Sequence, residues 1–291
     1  MILRVIDHKF HYEAENLCRV FYPFEKIAVV RDFDGEDKLT VVTEMKLSGT
    51  TADISVSFDC AGELYSDRAS VSSAVADAEF FDSCEKKMMV MLFGILSAAT
   101  GYVPQWGILT GVRPSKLMTA LVAENGDESA KKYFTDELLV KENKTQLAYS
   151  VSKAEEKITA LSRKESFSLY VSIPFCPTRC NYCSFVSHSI EQAKKLIPEY
   201  VENLCRELEY TAEIAKKLGL RLESIYWGGG TPTTLSAEQL TKVCGIISDN
   251  FDLSDLREYT VEAGRPDTVT KEKLYALKNA GVGRISINPQ T

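Results

Sequence analysis

Apolar positions along the chain fall into runs with a period near two and stripes with a period near 3.6, and these runs and stripes predict its elements. Residues 27–30, 40–42 and 54–58 are β-rich runs separated by polar turns containing Gly and Asp, so the first hundred residues read as a small α/β unit. A helix is predicted over about 76–99, with Gly101 stopping it. Pro114 is placed to open another, whose buried stripe is Leu117, Met118, Leu121 and Val122. Residues 128–164 are charged and helix-prone, as a helical connector would be. The pattern changes near Ser166. Residues 169–173, 224–227, 259–262 and 284–288 read as strands, alternating with helices at about 192–218, from Ser236 onward, and at 271–280. Gly219 suits the position just past a helix, and Ser236 with Gln239 has the spacing of a capping box. Strands alternating with helices predict a parallel sheet, and sites on such sheets gather at the C-terminal ends of the strands.

Composition narrows the class. The chain of 291 residues is 45% hydrophobic and 26% charged, the balance of an ordinary globular protein. Its 34 basic and 41 acidic residues leave a net charge of −7, which disfavours a nucleic-acid or anionic-membrane footprint. The first residues carry charge and lack a signal-peptide core, and the most apolar stretch, 88–99, is too short for a bilayer. A cytoplasmic location without membrane insertion is therefore expected. Of eight cysteines, Cys18, Cys60, Cys84, Cys205 and Cys244 are scattered and read as small buried hydrophobes. The remaining three are not scattered.

Cys176, Cys180 and Cys183 fall within eight residues, directly after a predicted strand. Three thiolates in a tight loop can ligate three irons of a cubane cluster. The fourth iron then stays open to an exogenous ligand, such as the amine and carboxylate of a free amino acid. Structural zinc is the alternative, with His188, five residues past Cys183, as the nearby candidate for a fourth ligand. Gly228, Gly229, Gly230, Thr231 and Pro232 follow the next strand. Alone they would be a turn; after a buried strand, glycines let the backbone approach a ligand. Glu262 ends the third strand and Gln290 follows the fourth, both on the same predicted rim.

The spacing Cys-x3-Cys-x2-Cys, with aromatic Tyr182 before the last cysteine, resembles the radical S-adenosylmethionine (SAM) signature. Tyr170 six residues ahead, Ile-Pro-Phe-Cys176, Trp227-Gly-Gly-Gly-Thr-Pro-Thr and Arg284-Ile-Ser-Ile-x-x-Gln290 narrow the resemblance to the oxygen-independent coproporphyrinogen III dehydrogenase (oxidase) family. Residues 106–117, 182–185 and 261–267 look most like its HemZ branch. The resemblance implies a [4Fe–4S] cluster on Cys176, Cys180 and Cys183. It implies one SAM contacted by Tyr170, Gly229 and Glu262. A second SAM would meet Tyr182, Gly230, Thr231 and Gln290, with Gly228 in the same cofactor-binding run. The fold implied is a small α/β domain at 1–105, a helical connector at 106–165, and a radical SAM domain at 166–291. That last domain would hold the first four β/α units of a partial (β/α)6 barrel. It would be incomplete at its C-terminus, so the chain is expected to be the N-terminal part of a longer protein and inactive by itself.

The activity implied is oxidoreductase chemistry in haem and porphyrin biosynthesis. An electron from a low-potential donor such as flavodoxin or ferredoxin would cleave SAM to methionine and a 5′-deoxyadenosyl radical. That radical would take hydrogen from a propionate of coproporphyrinogen III, which loses carbon dioxide on the way to protoporphyrinogen IX. No catalytic residue is assigned beyond cluster and SAM. Two positions depart from the dehydrogenase pattern: Phe185 stands where a further cysteine is usual, and Ser172 where histidine is usual. Relatives without the extra cysteine include haem-trafficking chaperones. The alternative is thus a haem-binding protein that keeps cluster and SAM without turnover.

Overall fold

Ala52, Ile54, Val56 and Phe58 are buried while Asp53, Ser55 and Ser57 between them are not, the period-two signature of a strand with one dry face. The computed structural model describes residues 1–31, 38–110, 113–185 and 187–288. They divide into two compact units, Met1–Thr159 and Ala160–Thr291. In the first, the elements run β1 (Ile2–Ile6), α1 (His11–Phe21), β2 (Ala28–Val30), β3 (Leu39–Ser48), β4 (Thr51–Cys60), β5 (Glu63–Ser72) and α2 (Ala78–Thr100). The sheet order is β2-β1-β3-β4-β5, parallel about β1 and antiparallel from β3 onward. Its dry face packs on α1 and α2 through Leu3, Leu17, Phe58, Met88 and Leu92. Asp77 caps α2 by accepting from Phe80 N–H at 3.1 Å, and Gly101 ends it in the left-handed region at φ 67°. The apolar 88–99 stretch lies within this helix, where Met88, Leu92 and Leu96 are fully buried, and among the described residues no helix is long and apolar enough to cross a membrane.

Three elements of this unit were not predicted from sequence. β1 and α1 carry legible patterns, with Leu3 and Val5 buried on the strand and Ala14, Leu17, Cys18 and Phe21 on the helix. β5 does not, because most of its residues are exposed and polar. It is held by its ladder to β4 and by the two-residue turn Ala61-Gly62, with φ of 54° and 97°. Helices α3 (Pro114–Asn125), α4 (Asp127–Lys132) and α5 (Glu142–Thr159) complete the unit around a small core of Met118, Phe134, Leu138 and Ala148. Met118 is fully buried, whereas Leu117, Leu121 and Val122 pack half-buried beside it. Of the five scattered cysteines, Cys18, Cys84, Cys205 and Cys244 are buried as expected; Cys60, at the end of β4, is only half-buried.

The second unit runs β6 (Ser166–Ile173), β7 (Phe175–Cys176), β8 (His188–Ser189), α6 (Ile190–Ala193), α7 (Ile197–Lys217), β9 (Arg221–Gly229), α8 (Ala237–Asn250), β10 (Glu258–Gly264), α9 (Lys271–Asn279) and β11 (Arg284–Ile287). The helix expected over 192–218 is thus two helices. Pro198 opens the second, and a proline ring leaves no room for a continuous helix through the preceding turn. Strands β6, β9, β10 and β11 form one all-parallel sheet in chain order. Unbroken chain order is the winding of a barrel rather than of a doubly wound sheet. The capping box at Ser236 and Gln239 forms with both of its hydrogen bonds.

One face of this sheet is dry. Val171, Ile173, Ile225, Trp227 and Val261 pack against Val201, Leu204 and Val243 of the covering helices. The other face carries Tyr170 and Ser172 of β6, Tyr226 of β9 and Glu262 of β10, all at least partly open. Because side chains alternate along a strand, burying the first set commits the second to the opposite face.

At the N-terminal ends of the strands, Glu223 is almost fully buried and accepts from Ser166 Oγ at 2.6 Å and Ser162 Oγ at 2.9 Å, and it pairs with Arg221 and Arg257. These partners tie together the starts of β6, β9 and β10. The Ser166 hydrogen bond, then those of Ser162 and Arg257, hold the Glu223 carboxyl down at about 2. Its stabilising contribution is therefore complete above the ordinary carboxylate value near 4.5 and is lost as pH falls through about 2. Acid titration followed by circular dichroism should show Glu223→Gln less stable than the parent at pH 7, with the gap closing between pH 4.5 and 2. A gap that stays constant over that range would show that the carboxylate does not carry this term.

Candidate functional site

Pro174 cannot donate to the ladder, and the chain leaves the main sheet at Ile173. Phe175–Cys176 then pairs with His188–Ser189, and His188 N–H donates to Pro174 O at 2.8 Å. This small ladder closes the neck of the loop that holds the cysteines. Within it, Cys183 N–H donates to Cys180 O at 3.1 Å. The neck is braced from α7, where Tyr200 donates its hydroxyl to Ser172 O and stands edge-on to Phe175.

The glycine run follows β9 and lies against this neck. Gly230 N–H donates to Ile173 O at 2.7 Å, and Thr231 N–H to Phe175 O at 2.8 Å. A Cβ on Gly230 would sit 2.7 Å from Phe175 O, 2.9 Å from Ile173 O and 3.0 Å from Cys176 Sγ. Gly229, at φ 98°, would place a Cβ 2.7 Å from Ser172 Oγ. The N–H groups of Gly230 and Thr231 thus seat the cysteine strand, and both residues also line the cavity of the three cysteines. Thr231 is 2% exposed and turns its hydroxyl to Cys176 Sγ at 3.5 Å.

On the open face of the sheet, Tyr170 and Tyr226 stack with centroids 5.9 Å apart and rings within 10° of parallel. Gly229 N–H donates to the Tyr170 hydroxyl, while burial and the charge of Glu262 push that phenol's pKa up. Tyr226 donates its hydroxyl to Glu262 Oε1, and this bond, with burial, raises the Tyr226 pKa to about 12. Tyr226 thus stays a neutral donor at any physiological pH. Gly228 lies beneath the pair, since a Cβ there would come within 2.7 Å of the Tyr170 hydroxyl.

Cys176, Cys180, Cys183, Tyr182, Gly229, Gly230, Thr231 and Glu262 all line one open cavity of about 480 Å³. That volume lies within the usual range for a small-molecule site. Of the residues predicted for the site, Tyr170 and Gly228 stand just behind this lining, and Gln290 falls outside the described residues. Tyr182 is largely exposed, and its hydroxyl bonds to Cys180, which raises its pKa.

The donor set fits an iron–sulfur cluster with SAM. Among the described residues, no three His, Cys, Asp or Glu side chains converge as ligands of one metal ion do. Thiolates of a cubane bind separate irons and need no such convergence. His188 is exposed and is not part of the cavity lining, so the sulfurs and the zinc candidate do not share a site. The three cysteines are half-exposed, unlike Cys18, which burial pushes up to about 12. Hydroxyl and guanidinium donors reach two of the three sulfurs, as befits thiolates. Glycine backbone and the Glu262 carboxylate complete a rim able to receive a polar, amine-bearing ligand.

Two residues of the site were missed in the sequence. Tyr226 precedes Trp227 and looked like one more strand residue, although the alternation already placed it on the Tyr170 face. Arg265 donates from Nη1 to Thr178 Oγ1 at 2.8 Å and to Cys180 Sγ at 3.7 Å. Its contact spans 85 residues of chain, and no local pattern announces it.

Comparison with known proteins agrees with this geometry. The Radical SAM superfamily profile matches residues 170–291. The chain is 32% identical to the oxygen-independent coproporphyrinogen-III oxidase-like protein HemZ of Bacillus subtilis (strain 168), over 98% of this chain and 57% of that protein. It is 44% identical to heme chaperone HemW of the same organism, over 43% of this chain and 32% of that one. It is also 34% identical to the oxygen-independent coproporphyrinogen III oxidase of Paracoccus denitrificans (strain Pd 1222), over 46% of this chain and 29% of that one. The chain therefore spans little more than half the length of the first of these relatives and about a third of the other two.

Proposed function

The chain belongs to the radical SAM superfamily through residues 170–291, and from that premise we propose that it is an oxidoreductase acting on the propionate side chains of coproporphyrinogen III. The observation that carries the proposal is the meeting, in one cavity at the C-terminal ends of parallel strands, of three cysteines, a glycine run and the Glu262 carboxylate. The superfamily's cofactors are a [4Fe–4S] cluster and SAM, which together supply a one-electron cleavage able to take hydrogen from an unactivated carbon. Cys176, Cys180 and Cys183 would hold the cluster. Gly229, Glu262 and the Tyr170–Tyr226 stack would orient SAM beside it. The residues' own work is positioning: Tyr226 holds Glu262, the Gly230–Thr231 strap holds Cys176, and the ladder at the neck holds the loop closed.

A haem-trafficking role is the second reading, favoured by Phe185 on the cavity wall and by the likeness to heme chaperone HemW. Haem iron is usually held by His, Cys, Met or Tyr. His8 is buried and engaged with Thr43 and Phe10, and no histidine is among the residues that line this cavity. Anaerobic incubation of the reconstituted full-length protein with coproporphyrinogen III, SAM and a low-potential reductant separates the two. Release of carbon dioxide and protoporphyrinogen IX supports the oxidoreductase. Tight haem binding without decarboxylation overturns it in favour of the chaperone.

Glu262→Ala should weaken SAM binding while leaving iron content unchanged. Loss of one hydrogen bond to a charged group costs about 1.5–3 kcal/mol, or roughly ten- to a hundredfold in affinity. Isothermal titration of SAM into the reconstituted variant measures it, and parental affinity in a folded variant would remove Glu262 from the site.

A further inference from the structure

β9 and β10 are neighbours, and just past the end of each a side chain preceded by a glycine donates to a cysteine sulfur. Gly230 precedes Thr231, which reaches Cys176; Gly264 precedes Arg265, which reaches Cys180. The two pairs are packed against each other. Gly264 is left-handed at φ 49°, and a Cβ there would sit 3.3 Å from Thr231 Cγ2. Its conformation turns the chain off β10 towards the cysteine loop. The turn is then fixed by Thr268, whose hydroxyl donates to Arg265 O at 2.8 Å. Arg265 Nε faces Asp267 Oδ1 at 3.5 Å, which orients the guanidinium so that Nη1 can meet Thr178 and Cys180 together. A planar fork can bridge two acceptors in this way and an ammonium on a flexible stem cannot do so as rigidly.

We propose that Arg265 is a positioning residue that clamps the cysteine loop through Thr178 and Cys180 and makes a cluster held there easier to reduce. The inference rests on the radical SAM reading of the site. Three thiolates give such a cluster negative charge, and an incoming electron adds to it. A guanidinium hydrogen-bonded to one sulfur offsets that charge most in the reduced state, where the charge is largest. Of the three sulfurs, Cys180 receives both Arg265 and the Tyr182 hydroxyl, so the effect is concentrated on one corner.

The test compares Arg265→Met and Arg265→Lys with the parent protein after anaerobic reconstitution, without SAM. Two quantities are measured: the rate of iron loss to a chelator, and the midpoint potential from a redox titration followed by electron paramagnetic resonance. Arg265→Met should lose iron roughly tenfold faster, the low end of what outer-shell substitutions cost a metal site, and should titrate at a lower potential. Arg265→Lys should recover potential, because it keeps the charge, but should still lose iron faster than the parent, because an ammonium on a flexible stem, without the Nε contact to Asp267, does not hold Thr178 and Cys180 as rigidly. A Met variant matching the parent in both quantities overturns the inference, as does a Lys variant that retains iron like the parent. Absence of any iron–sulfur cluster in the parent protein would instead sink the radical SAM reading itself, and this inference with it.

Discussion

Cys176→Ala, Cys180→Ala or Cys183→Ala should each abolish iron–sulfur assembly, while Cys205→Ala leaves it intact. Reconstituted parent protein should hold about four irons per chain, the content of one cubane cluster. Each cysteine on the cavity wall would be the sole protein ligand to its own iron, so removing any one would leave a corner without a bond that the protein can replace. Cys205 offers a fair comparison because it is also a free thiol of this unit, yet it lies buried on α7 among Val201, Leu204 and Leu208. Its loss removes one buried sulfur from a core and costs stability only. Iron and acid-labile sulfide analysis, with the visible absorption of the reconstituted protein, measures the outcome. Zinc in place of iron, with no such absorption in the parent, would falsify the assignment.

Gly230→Ala should lose most of the cluster although no ligand has been touched. The added methyl would stand 2.7 Å and 2.9 Å from two carbonyl oxygens of the cysteine strand and 3.0 Å from Cys176 Sγ. Carbonyls of Ile173 and Phe175 cannot swing away as a long side chain could, because both accept from the strap itself. The strap and the neck must therefore part, and with them goes the register that puts Cys176 and Thr231 together. Such overpacking costs about 1–3 kcal/mol, which the unit as a whole survives while the loop does not keep its geometry. Gly245→Ala is the control: nothing lies within 4 Å of its missing Cβ, and alanine favours the helix it occupies. Iron content of the two variants, with thermal melts to confirm folding, gives the answer. Parental iron content in Gly230→Ala would mean that the strap does not seat the loop.

Relating site and sequence, the parts found early are those whose signal is local. Cysteine spacing, the glycine run behind a strand, the capping box at Ser236 and the polar end of β10 each sit within a few residues of chain, and each stands in the structure where its pattern put it. Strand–helix alternation gave the parallel sheet for the same reason. Burial of every second residue on β6 is set by what the helices cover, and that periodicity is written along the strand.

The parts not found depend on chain segments far apart in sequence. β5 has only a broken apolar alternation, Tyr65, Ala69 and Val71 with Asp67 between them, and is held by the ladder that β4 offers it through a tight turn. That Gly230 also seats the cysteine strand was not legible, since Phe175 is brought to it only by the pairing of β6 with β9. Arg265 and Tyr226 acquire roles only when β10 lies beside β9, placing one against Cys180 and the other against Glu262. The sequence by itself determined which groups this protein could offer a cluster and its ligand, because ligand chemistry is a property of residue type and short spacing. Only the tertiary structure decided which residues hold those groups still, because a hydrogen bond to a sulfur or a carboxylate is made by whatever the parallel sheet carries within hydrogen-bonding reach, however distant along the chain.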